Sequence, residues 1–126
     1  MRVLALDYGA ARCGVAISDP TRTLAQPLDA VVRPSSKAGL AEIARLVRER
    51  DVGEVVVGLP LTLSGEESAQ TREARAFAER VREAVAPVPV SLYDERLTTA
   101  QARRTGGAAS EDSRAAAHLL EAWLAR

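Results

Sequence analysis

A chain of 126 residues, 47% of them apolar and 27% charged, can bury one substantial core but is too short for two. That balance excludes a disordered chain and a collagen-like repeat, and the lone Cys13 excludes a disulfide-stapled miniprotein. The 17 basic residues are matched by 17 acidic ones, and on composition alone a neutral chain argues against a nucleic-acid partner.

The segment 3–7, VLALD, is a short apolar run ending in an acid, as a buried strand would. Its apolar part is too short for a signal peptide, and no stretch approaches the ~20 apolar residues of a membrane span. A cytoplasmic protein without membrane contact is therefore expected. Residues 8–12 supply a glycine turn, and 13–18, CGVAIS, return as a second strand. A third is expected within 23–32, where Pro27 favours a sheet edge or a bulge.

The period then changes. Ser35 or Ser36 can cap a helix whose Leu40, Ile43, Ala44 and Val47 recur at helical spacing. A buried strand over 54–60 stops at Gly58 and Pro60, and the loop 61–68 leads to a helix carrying Ala74, Phe77, Ala78, Val81 and Val85 on one face. A strand over 87–93, a short helix over 96–104, a flexible loop over 105–110 and a last helix over 111–126 complete the chain. The order βββαβαβαα predicts one α/β domain spanning 1–126. Its sheet is mixed: an antiparallel meander of three strands, then alternating helices and strands.

Three acids occupy awkward positions. Asp7 ends the first strand, and period-two geometry puts it on the same face as Val3 and Ala5. Glu95 lies just past the 87–93 strand, beside Asp94. Asp112 begins the last helix. At about 100° per residue it falls on the midline of the stripe formed by Ala116, Leu119 and Trp123. A lone carboxylate buried there would cost several kcal/mol, so a partner or a cation is expected. Each acid also has an ordinary use: Asp7 in a turn, Asp112 as a helix cap, Glu95 as a partner for Arg96. Taken together, an all-oxygen donor set without a nearby histidine suits magnesium or manganese rather than zinc.

Four blocks carry a resemblance. LALDYGAARCGVAISD, VVVGLPLTLSGEES, YDERLTTAQA and EDSRAAAHLLEAWL resemble, in order and across nearly the whole chain, the motifs of the YqgF family, also called RuvX. The resemblance implies a ribonuclease H-like fold: a mixed five-stranded sheet flanked by helices, shared with RuvC-type resolvases. It implies a nuclease that trims the 5′ end of pre-16S rRNA, on ribosomal precursor particles. The alternatives are a Holliday junction resolvase acting on branched DNA, and a non-catalytic ribosome-assembly factor on a nuclease scaffold.

With that resemblance, Asp7, Glu95 and Asp112 become the expected catalytic metal ligands, holding two Mg2+ or Mn2+ ions that would activate water without a histidine base. Asp94 competes with Glu95, and the choice of Glu95 rests on the resemblance. Arg12 and Arg96, each beside a proposed ligand, are candidate phosphate contacts; Arg12 could instead be a hairpin residue shielding the acids. Ser64 and Gly65 are candidate contacts to substrate backbone. The stretch between Arg104 and Arg114 carries no basic residue, unlike many relatives, which weakens the expected grip on substrate. Acids committed to metal do not repel a polyanion, so neutrality no longer excludes nucleic acid. It predicts weak binding without metal and a shallow salt dependence. A monomer or weak homodimer is expected.

Overall fold

The computed structural model describes residues 1–97 and 111–126, the side chains of residues 111 and 112 excepted. It contains β1 (Arg2–Asp7), β2 (Arg12–Ser18), β3 (Ala25–Val32), α1 (Lys37–Glu49), β4 (Val52–Leu59), α2 (Ala69–Val85), β5 (Val90–Asp94), a 3-10 turn (Glu95–Leu97) and α3 (Glu111–Ala125). The five strands form one sheet in the order β3-β2-β1-β4-β5. β1, β2 and β3 pair antiparallel, while β4 runs parallel to both β1 and β5. This is the mixed α/β sheet expected from the hydrophobic periods. Of the short helix expected over 96–104, the described residues contain only the 3-10 turn; the remainder and the expected 105–110 loop lie outside them.

Strand alternation sorts the side chains into two cores. Leu4, Leu6, Val15, Val55 and Val57 pack against Ile43, Leu46 and Val47 of α1 and Phe77, Ala78 and Val81 of α2. Val3, Ala5, Ala16 and Val56 face the other way, onto Ala116, Leu119, Leu120 and Trp123 of α3. Among the described residues, two helices thus cover one face and a single helix the other. Because β1 is central and wholly enclosed, its run of Val3, Leu4, Ala5 and Leu6 is apolar on both sides. Pro27 sits on edge strand β3, opposite Ala16, where a missing donor costs the ladder least.

Local chemistry sets the helix starts. Of the two serines before α1, Ser36 is the cap: its hydroxyl accepts the Gly39 amide at 3.0 Å. Ser68 and Thr71 form a reciprocal capping box at α2, and the Thr71 hydroxyl also donates to the Pro60 carbonyl. That last bond ties the start of α2 to the chain leaving β4.

Candidate active site

β1 carries Asp7 to the C-terminal end of the sheet, and its orientation follows from its neighbours. Tyr8 turns towards the α1/α2 core and packs on Phe77 with ring centroids 4.7 Å apart. Val3 and Ala5 face α3, so Asp7, two residues on, faces α3 as well. Among the described residues no hydrogen bond or ion pair engages its half-buried carboxylate.

β4 lies beside β1, with Val57 opposite Leu6; the next residue of each strand is Gly58 and Asp7. A side chain on Gly58 would point to the α3 face, as Val56 does. Glu95 fills that space instead: a Cβ built on Gly58 would come within 2.5 Å of its Oε1. The Glu95 carboxylate thus lies down across the end of β4, on the face that Asp7 shares.

Asp94 is turned away from this arrangement. It pairs with Leu59, whereas Tyr93 pairs with Gly58 and packs in the α3 layer, so alternation points Asp94 to the opposite face. There the Arg96 guanidinium grips it, Nε and Nη2 donating at 3.0 and 2.7 Å, with the Arg96 backbone amide adding a bond at 2.9 Å. These bonds, the side-chain one first, hold the Asp94 carboxyl below the usual carboxylate range. Of the two adjacent acids, Glu95 is the one that shares a face with Asp7.

The first turn of α3 contains Asp112, whose side chain lies outside the described residues. Its helix phase matches Ala116, Leu119 and Trp123, all buried against the sheet. The neighbouring Ser113 escaped the sequence reading and is fully buried. Its Oγ accepts the Val15 amide at 3.3 Å. Here β3 has an extra residue, since Cys13 pairs with Val31 but Val15 with Leu28. The start of α3 is therefore fastened to β2, next to the pairing of Gly14 with Asp7. The available signal was a polar residue on a buried stripe, one turn before Ala116 and Ala117.

The candidate substrate contacts fall on two sides. Arg12 begins β2 and is exposed; alternation with Cys13 directs it to the α3 face. On the far side, residues 61–67 form a small hairpin, with Leu61 bridged to Glu67 and the Gly65 amide donating to the Thr62 carbonyl at 2.8 Å. Gly65 adopts φ +88°, a left-handed conformation that favours glycine. Ser64 bonds within the turn, to Thr62 and Glu66. Arg96 Nη1 donates to the Leu63 carbonyl at 3.3 Å. The structure thus brings Arg96, Ser64 and Gly65 together and leaves Arg12 across the acids from them.

No group of three metal-capable side chains occurs among the described residues, from which the Asp112 side chain is absent. The donor set itself fits a hard divalent cation: Asp7 and Glu95 offer carboxylate oxygen on one face, at adjacent strands, beside the start of α3.

The profile of the RuvX family, described as a Holliday junction resolvase, matches residues 1–126. The chain belongs to the RuvX family. A RuvX relative from Anaeromyxobacter sp. (strain Fw109-5), named "Putative pre-16S rRNA nuclease", is 47% identical over 133 residues, covering 98% of this chain and 96% of its own. A relative of the same name from Mycobacterium leprae (strain Br4923) is 44% identical over 132 residues, covering 98% of this chain and 72% of its own. Among solved structures, Thermus thermophilus RuvC in complex with a Holliday junction substrate aligns with a TM-score of 0.59 at 18% identity, covering 94% of this chain and 90% of that one. A second T. thermophilus RuvC structure gives 0.58 at 18% identity, with 99% and 97% coverage. At that identity the likeness is one of fold: this RuvX protein has the RuvC-type, ribonuclease H-like architecture.

Proposed function

We propose that this protein is a divalent-metal-dependent nuclease that hydrolyses a phosphodiester bond in precursor 16S rRNA, with Asp7, Glu95 and Asp112 as its metal ligands. One observation carries the reading: the Glu95 carboxylate lies over Gly58, on the strand adjoining Asp7 and on the face where α3 begins. Names of RuvX relatives supply the substrate class.

Two bound Mg2+ or Mn2+ ions would supply an activated water and charge neutralisation at the scissile phosphate. The protein's own part is positional. Asp7 stands on the central strand, fixed by the Tyr8 contact behind it, and Glu95 approaches from β4's end. Ser113 fastens the turn that bears Asp112. Arg12, exposed on the same face, would meet substrate phosphates. Arg96 holds the 61–67 hairpin, whose Ser64 and Gly65 would meet substrate backbone. The only histidine, His118, lies six residues along α3 from Asp112 and has no role in this scheme. We assign the activity to the cytoplasm, on ribosomal precursor particles, and to a monomer or weak homodimer.

The test is cleavage of an end-labelled pre-16S 5′ fragment with Mn2+, Mg2+ or EDTA. Activity with either metal and none in EDTA is expected; equal cleavage in EDTA would sink the proposal. The RuvX profile's description favours one rival, resolution of four-way DNA. Paired symmetric cuts in a four-way junction, with the RNA fragment left whole, would replace RNA as the substrate.

A further inference from the structure

We infer that Gly58 is a positioning residue for this site: its absent side chain is the space in which the Glu95 carboxylate lies, so Gly58 decides that β5 rather than β4 supplies the second acid. This rests on reading Asp7, Glu95 and Asp112 as a metal-holding set. A Cβ at position 58 would lie 2.5 Å from Glu95 Oε1, 2.9 Å from its Cγ and 3.0 Å from its Cδ. Its three nearest neighbours therefore all belong to one carboxylate side chain.

The backbone offers no competing reason for glycine here. Gly58 is an ordinary strand residue paired with Tyr93, and among the described residues Gly65 is the glycine with positive φ. Glycine inside a strand weakens it and commonly marks a close approach. β4 is otherwise rich in valine, and a further apolar side chain would have extended the α3 face beyond Val56. That position is vacant instead, and the acid from the end of β5 rests across it. Any side chain at 58 would push the carboxylate away from the strand adjoining Asp7.

The experiment compares the full chain with Gly58→Ala, Glu95→Ala and the double variant. It reads metal-free thermal unfolding, Mn2+ binding by calorimetry, and the position of Glu95 in a metal-free crystal of Gly58→Ala. Gly58→Ala should move the Glu95 carboxylate off β4 and weaken Mn2+ binding at least about tenfold. The double variant should bind no more weakly than Glu95→Ala alone, because both changes remove the same ligand. Should the added methyl lower the melting temperature, Glu95→Ala must restore it, since it removes the obstructing side chain. Gly58 loses the role if Gly58→Ala binds Mn2+ like wild type while the wild type itself binds, or if truncating Glu95 fails to relieve a destabilised variant. A wild type that binds no Mn2+ retires the metal reading, and the crystal then decides Gly58 separately: an unmoved Glu95 overturns the inference.

Discussion

At the residue scale, two neighbouring acids face opposite sides of the sheet. Asp7→Asn and Glu95→Gln keep nearly the same shape while removing charge, so each should lower metal-dependent cleavage by roughly 100-fold or more with the melting temperature held. Asp94→Asn should instead leave cleavage within a few-fold of wild type and loosen the grip of Arg96. The pH dependence has a definite sign. The folded Asp94 carboxyl is depressed by Arg96, so its contribution is present above the ordinary value of 3.8 and is lost as pH falls through the lower folded value. Stability curves of wild type and Arg96→Ala should therefore differ slightly above about pH 4, where solvent screens the pair, and draw together in stronger acid. The choice between Asp94 and Glu95 was not legible in the chain, because motif resemblance alone separated them. What separates them is strand register: Asp94 alternates onto the face away from Asp7, while Glu95 leaves the strand in a 3-10 turn and folds back over Gly58.

Elements add what single residues cannot. The start of α1 was readable from a serine cap and apolar spacing, that of α2 from apolar spacing alone, and the placement of β1 to β5 from strand period and punctuation. The hairpin at 61–67 was not, since its order comes from a bridge and from Arg96, thirty-three residues on from Leu63. Arg96→Ala should accordingly speed limited proteolysis within 61–67 several-fold while the melting temperature changes little. Ser113 shows the same limit: nothing in its own surroundings reveals that β3 carries an extra residue near the Val15 amide. Removing that acceptor strands a buried donor, which costs about 1–3 kcal/mol. Ser113→Ala should lower thermal stability by that amount. If the bond also orients the turn holding Asp112, it should weaken Mn2+ binding too, whereas Ser113→Thr should recover both in part.

For the whole molecule, zero net charge becomes a statement about how substrate is held. With no net positive charge, binding should lean on the proposed metal site and a few arginines such as Arg12. Affinity for labelled RNA, read by fluorescence anisotropy in Ca2+ to prevent turnover, should vary with salt by a log–log slope no steeper than about −3. EDTA should then abolish most of what remains. The two-faced sheet has one more consequence. Among the described residues α3 is the helix that covers its second face, and the chain's single tryptophan, Trp123, sits in that layer. It meets Tyr93 edge-on at 5.4 Å, lies under Arg126 at 3.5 Å and donates to Glu54 at 3.3 Å. Trp123 emission is thus a built-in optical gauge of whether α3 is seated. A chain whose last helix lifts away would change colour in the ultraviolet at the same moment that Ser113 lets go of β2.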